Sequence, residues 1–263
     1  MGTVGGGVYE ILAKQKPNMP AKIGSTLQVA KVLVRNKAKY ADKVPADQLT
    51  DQWSDIIDDD SISIVVEVMG GIEPARTYIR EALSKGKHVV TANKDLMATH
   101  GHELLEIARE HQCDLLFEAA VAGGIPIIRP MKQCLLGNDI TEVMGIINGT
   151  TNFILTKMAE DGMEFDDALK LATDLGYAEA DPTADIEGYD AGRKLAIMAS
   201  IAFHSSVTFD DVYTEGISKI TAKDIRYAHE LGYEIKLLGL AKLTPEGIEV
   251  KVHPTMIPLQ HPL

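Results

Sequence analysis

The chain has 263 residues, 45% hydrophobic and 24% charged, the balance of a globular protein with one or two cores. A net charge of -12 opposes a partner as anionic as nucleic acid, no apolar run reaches the length of a membrane-crossing helix, and the N-terminus has no signal-peptide pattern. The two cysteines, Cys113 and Cys134, form neither a disulfide framework nor a metal-ligand pattern, which suits reduced thiols in a cytoplasmic protein.

The opening "MGTVGGGVYE" is half of a phosphate-binding turn. Gly2 and Gly5, with Thr3 and Val4 between them, fit the second and third glycines of G-x-G-x-x-G. The first glycine and the strand before it would lie upstream of residue 1. A helix follows, with Val8, Ile11 and Leu12 at helical spacing and Pro17 as its stop. Strands are expected over 27–36, 61–71, 86–94 and 113–121, with helices over 73–86 and 100–112 between them. Strands alternating with helices predict parallel strands joined by right-handed crossovers, a Rossmann-like doubly wound α/β sheet. Such sheets bind ligands at the carboxyl ends of their strands, where this chain places Arg35, Gly70-Gly71 and Ala92-Asn93-Lys94. His100 and His102 read as surface histidines near a helix start.

From residue 126 the texture changes to α+β. A strand over 140–149 precedes helices over 152–162, 165–176, 190–203 and 221–232, the last opened by a Thr221/Asp224 capping box. A hairpin closes the chain, turning at Thr244-Pro245-Glu246-Gly247, with Ile248, Val250 and Val252 alternating on one face. The expected division is therefore 1–125 and 126–263.

The densest polar stretch, "GYAEADPTADIEGYDAGRK" (176–194), holds Glu179, Asp181, Asp185, Glu187, Asp190, Arg193 and Lys194. Asp190 and Lys194 are four apart, so on a helix the carboxylate lies beside the ammonium. Spacing alone leaves two readings open, a structural ion pair or a poised proton carrier.

With these residues in view, the chain resembles the homoserine dehydrogenase family. The stretch from Ala172 through Gly176, Asp181-Pro182, Asp185, Gly188 and Asp190 to Lys194 looks like its signature. "GTVGGGV" (2–8), "EVMGGIEPA" (67–75), "VVTANKDLMATHG" (89–101), "EAAVAGGIPII" (118–128) and "GIINGTTNFIL" (145–155) resemble further family motifs, in family order. On this resemblance the chain lacks the family's first strand at one end and part of the substrate-domain sheet at the other.

The resemblance implies interconversion of L-homoserine and L-aspartate 4-semialdehyde with NAD(P), on the route to threonine, methionine and isoleucine. It implies Lys194 as the acid/base with Asp190 beside it, Lys94 as the rival proton carrier, Glu179 for the substrate's ammonium, and Asn148 and Thr150 in the substrate loop. An unperturbed lysine pKa near ~10.4 suits the acid role in the reducing direction better than the base role. Gly2, Thr3, Val4, Gly5, Gly70, Thr91 and Lys94 would meet the cofactor. Arg35 at the end of the second strand favours NADP, with NAD also usable, because arginine accommodates a 2′-phosphate. Glu118, Val121, Gly123 and Ile125 resemble the family's sodium site, and a homodimer through the second domain is implied. Two competing readings are a noncatalytic remnant and a semialdehyde dehydrogenase working through a nucleophilic cysteine.

Overall fold

The computed structural model describes residues 1–263 and divides into two compact units, Met1–Asn93 with Glu103–Leu116, and Lys94–His102 with Phe117–Leu263. Residues 94–102 and 117–125 group with the second unit. No helix is long and apolar enough to cross a membrane.

The first unit runs α1 (Thr3–Gln15), α2 (Met19–Ile23), β1 (Val32–Leu33), β2 (Leu49–Thr50), α3 (Ser54–Ile57), β3 (Ile64–Glu67), α4 (Ala75–Ser84), β4 (His88–Thr91), the end of α5 (Lys94–Glu110), and β5 (Leu115–Leu116). Every strand pair is parallel, as crossover connections require. The core lies on one face of the sheet β3-β4-β5, where Ile79, Leu83, Val89 and Leu104 are completely buried. Ile64, Val66, Val90 and Leu116 alternate onto the other, exposed face.

The single doubly wound sheet expected from the sequence is split. Strand β1 pairs with β2, and β3 pairs with β4, but β1 and β3 do not pair. The doubly wound order puts one more strand between them, and no residue of this chain fills that place. Helix α1 accordingly buries none of its residues, and Ile11 on its apolar face is exposed. The strand expected over 27–36 shrinks to two residues, while β2 and α3 were not anticipated.

Helix α5 begins at Lys94, six residues before the start read from the sequence. His100, expected at the start of this helix, and Gly101 lie well inside it, with Gly101 against Met97. Lys94 thus sits at a helix start rather than at the end of a strand.

The second unit continues through β6 (Glu142–Gly145), α6 (Gly149–Glu160), α7 (Phe165–Asp174), α8 (Thr183–Ile186), α9 (Tyr189–Ala202), β7 (Tyr213–Thr214), α10 (Ala222–Glu230), β8 (Tyr233–Thr244) and β9 (Gly247–Pro258). Its sheet has the order β6-β8-β9-β7; β8 is antiparallel to both β6 and β9, and β7 is parallel to β9. The closing hairpin and the Thr221/Asp224 capping box are both present. Helix α9 packs on β8 and β9 and supplies the centre of the core with Leu195, Ala196 and Ala199, all at zero exposure. At Gly239 of β8 an added Cβ would stand 2.8 Å from Ile147 Cδ1, so a larger residue there would displace the Ile147 side chain that packs on the sheet.

Candidate active site

The second unit gathers its polar side chains around one buried carboxylate. Asp190 lies in the first turn of α9 and is 6% exposed. Its Oδ1 is 3.2 Å from Lys94 Nζ, at the start of α5. Its Oδ2 accepts from Lys194 Nζ at 2.6 Å, one helical turn on, and from Asn148 Nδ2 at 2.9 Å. Burial alone would raise the Asp190 carboxyl. The Lys194 ammonium above all, then the Asn148 amide and Lys94, outweigh that and hold it below the usual carboxylate range.

Lys194 also donates to the Ile147 carbonyl at 3.1 Å. Two of its three ammonium protons are therefore engaged, and the side chain keeps 20% of its surface exposed, so the third can reach a ligand. Asn148 caps α6: its Oδ1 accepts from the Thr151 amide and hydroxyl at 2.8 and 2.9 Å, and its Nδ2 also donates to Asp185 Oδ1 at 2.7 Å. Thr150 is buried and donates to the Tyr177 carbonyl. Glu179 is exposed in the loop between α7 and α8 and is not part of this network.

A second bridge runs parallel to the first. Asp95 Oδ1 stands 3.3 Å from Arg193 Nε, and the Arg193 guanidinium lies 5.0 Å from the centre of the Phe209 ring. Adjacent residues of α5 thus engage α9 at positions 190 and 193. Sequence reading missed Asp95 and Arg193 as partners, because nothing in the spacing links residues so far apart.

In the first unit, α1 starts at Gly2 with no side chain capping its N-terminus, which leaves the amides of Thr3, Val4 and Gly5 available to an anion. Gly5 approaches β3 closely enough that a Cβ would meet Val68 at 3.2 Å. Gly70 and Gly71, after β3, take φ of +76° and +73°, conformations that favour glycine. Arg35 is exposed beyond β1.

The turn after β3 is held by a residue that sequence reading did not single out. Glu67, 4% exposed, accepts from the amides of Met69 and Gly70 at 2.7 and 3.3 Å and from the Thr91 hydroxyl at 2.6 Å. Asn93 then ties Thr91 to the Gly71 carbonyl. Thr91 is 1% exposed and its hydroxyl is spent on Glu67 and Asn93, so it shapes the turn from beneath. A glutamate at an inward position of a β-branched strand is the signal that could have found Glu67.

The Glu118 carboxylate does not fit as a metal ligand. Its oxygens accept from the amides of Ile127, Ile128 and Arg129 at 2.6, 2.9 and 2.8 Å. Burial would raise its pKa, but these three donors hold it below the ordinary value. Val121 is buried, Gly123 has φ +57° and Ile125 is 71% exposed, so what this loop offers a cation is backbone carbonyl oxygen. No group of three or more His, Cys, Asp or Glu side chains converges as metal ligands.

The cysteine reading fails on chemistry. Burial first, and then Asp114, push the Cys113 thiol up and away from the thiolate a nucleophile needs. Cys134 is exposed in a π turn over Pro130–Cys134.

These features define the class: an α/β dinucleotide-binding unit joined to an α+β unit with a lysine–aspartate centre. Residues 1–118 match the family described as homoserine dehydrogenase, NAD binding domain, and residues 126–263 match the family described as homoserine dehydrogenase. The chain belongs to the homoserine dehydrogenase family. It is 48% identical to homoserine dehydrogenase of Bacillus subtilis over 264 residues, covering 100% of this chain and 61% of that protein. Against the Corynebacterium glutamicum protein it is 48% identical over 267 residues, covering 100% and 60%. A crystal structure of a homoserine dehydrogenase from Thiobacillus denitrificans superposes with a TM-score of 0.95 at 49% identity, covering 100% of this chain and 61% of the other. A hyperthermophilic archaeal homoserine dehydrogenase in complex with NADPH gives 0.82 at 26% identity, covering 100% and 81%. The chain therefore spans about 60% of the length of the curated relatives it matches.

Proposed function

We propose that this chain carries the nucleotide-binding and catalytic parts of a dehydrogenase that interconverts L-homoserine and L-aspartate 4-semialdehyde with NAD(P)(H). The observation that supports this best is Asp190, held between Lys94 and Lys194 in a family member. When bound, the nicotinamide supplies or accepts the hydride. Lys194 donates a proton from Nζ to the carbonyl oxygen as reduction turns it into the hydroxyl, and takes that proton back in the oxidising direction. Asp190 holds the ammonium in place through the 2.6 Å contact from Oδ2. Lys94, 35% exposed, is the second cation of the centre and the alternative proton carrier. Glu179, free of the central network, receives the substrate ammonium, and Thr150 shapes the loop around it.

The amides of Thr3, Val4 and Gly5 would hold the cofactor's pyrophosphate, and Gly70-Gly71 would leave room for it beside the backbone. Arg35 pairs with a 2′-phosphate, so NADP is preferred over NAD. Binding of NADPH by the archaeal relative supports use of the phosphorylated cofactor. For sodium, the ligands are the carbonyls of Glu118, Val121, Gly123 and Ile125. The active assembly is a cytoplasmic homodimer formed through the second unit. The test is the full-length protein containing this chain, assayed with L-homoserine and NADP⁺ or NAD⁺ by nicotinamide absorbance. A folded protein that reduces neither cofactor overturns the reading.

A further inference from the structure

Asn148 resembles a substrate-loop residue in the sequence, yet its side chain has no hydrogen-bonding capacity left for a substrate. A carboxamide offers two donors and an oxygen with two lone pairs. Here the donors go to Asp185 Oδ1 at 2.7 Å and Asp190 Oδ2 at 2.9 Å. The oxygen takes the Thr151 amide at 2.8 Å and the Thr151 hydroxyl at 2.9 Å. The residue is 5% exposed. The network also fixes which way the amide points. Flipped, its oxygen would face two carboxylates and its NH₂ would face a backbone N–H.

We propose that Asn148 is a positioning residue: a buried fork that holds Asp190 and Asp185 apart and fixes which Asp190 oxygen faces which lysine. Its donors reach two carboxylates, and Asp190 in turn faces two lysines. Lys194 and Asp190 come from α9, Lys94 from α5, and Asp185 from α8. With the fork in place, Asp190 Oδ2 is shared by Lys194 and Asn148 while Oδ1 is left to Lys94. Without it, two carboxylates face one another with no donor between them, and Asp190 can rotate toward either lysine. Lys194 would then lose the fixed direction of its remaining proton. The residue touches the reaction only through Asp190, which separates positioning from substrate binding.

The inference takes its catalytic meaning from the dehydrogenase reading, but part of its test does not depend on that reading. N148S keeps an oxygen to cap α6 and removes the amide donors; N148D, which also caps, is the second variant. In the full-length enzyme, both should lower kcat about 10- to 100-fold while KM for L-homoserine stays within about two-fold, the worth of one hydrogen bond to a charged group made through a positioning residue. A substrate ligand would instead raise KM and leave kcat near wild type. In the 263-residue chain, carboxyl ¹³C NMR should show Asp190 titrating about one pH unit higher in N148S than in wild type, since a donor to its charged form has gone. A KM increase without a kcat loss, or an unchanged Asp190 titration in folded N148S, overturns the assignment. If the wild-type enzyme shows no dehydrogenase activity, the functional reading fails while the NMR comparison still decides the role of Asn148.

Discussion

Removal of the Glu67 carboxylate should unfasten the turn after β3. In E67A the amides of Met69 and Gly70 and the hydroxyl of Thr91 lose their acceptor in a place only 4% exposed. Hydrogen bonds to a charged group contribute roughly 1.5–3 kcal/mol each, and the 3.3 Å contact to Gly70 sits at the weak end. The three share one partner, so their losses do not add in full. A cost of about 3–5 kcal/mol is expected, a large part of the roughly 5–15 kcal/mol that holds a domain. At about 4–8 °C per kcal/mol for a unit of this size, thermal unfolding of the first unit should fall by roughly 15–30 °C. E67Q keeps one acceptor and should fall by less than half as much. Amide exchange at Met69 and Gly70 locates the effect, because local opening there should accelerate before any global change. An E67A protein that melts within about 2 °C of wild type, with unchanged exchange at both amides, would refute the claim that this carboxylate organises the turn.

Three further outcomes are expected. K194A in the full-length enzyme should lower kcat by around 10² to 10⁴ with little change in cofactor affinity, whereas near-native kcat would transfer the proton to Lys94 or water. R35D should move the ratio of KM values for NADP and NAD toward NAD, and an unmoved ratio removes Arg35 from cofactor choice. The folded-state pKa of Glu118 lies below its unfolded value near ~4.3, so its stabilisation is complete above that pH and is lost as pH falls through the folded value. E118Q should therefore be less stable than wild type at neutral pH and converge with it in acid, and a gap that stays constant down to pH ~2 contradicts the capping role.

The two-part α/β then α+β order, the parallel strands β3, β4 and β5 and the closing hairpin were legible because period-2 and period-3.6 patterns are local. The places that were misread are those where distant contacts decide. The helical pattern read over 100–112 starts six residues late, because α5 begins at Lys94 and carries Gly101 against Met97 in its interior. Val32–Leu33 is shorter than its β-branched sequence suggests, because a strand extends only as far as its partner, and β2 pairs just two residues. The site divides the same way. The i, i+4 spacing of Asp190 and Lys194 could be read directly, whereas the contributions of Lys94, Asn148 and the Ile147 carbonyl depend on tertiary packing that brings α5 and the segment before α6 to α9. Glu67 escaped notice because its function is to hold backbone amides, a role that leaves no pattern beyond a charge at an inward strand position.

The sequence left a structural ion pair and a proton carrier as rival readings of Asp190 and Lys194, and the geometry shows why one arrangement can serve as both. A buried carboxylate is costly unless it is well paired, and removing one partner of a simple buried pair strands the other charge. A lysine that gave up its proton in a two-member pair would leave Asp190 in that condition at the moment of reaction. Here Asp190 keeps Lys94 on Oδ1 and Asn148 on Oδ2 when Lys194 becomes neutral. The charge balance of the centre then changes from two cations and one anion to one and one. Asp185 adds a further carboxylate across the Asn148 fork. Lys194 is also the better placed of the two to move the proton. Its Nζ is fixed by Asp190 and the Ile147 carbonyl, which leaves one N–H with a defined direction, while Lys94 is more exposed and is held through Asp190 alone among the contacts of this centre. On the proposed mechanism, Lys94 is the group that keeps the carboxylate paired while Lys194 reacts.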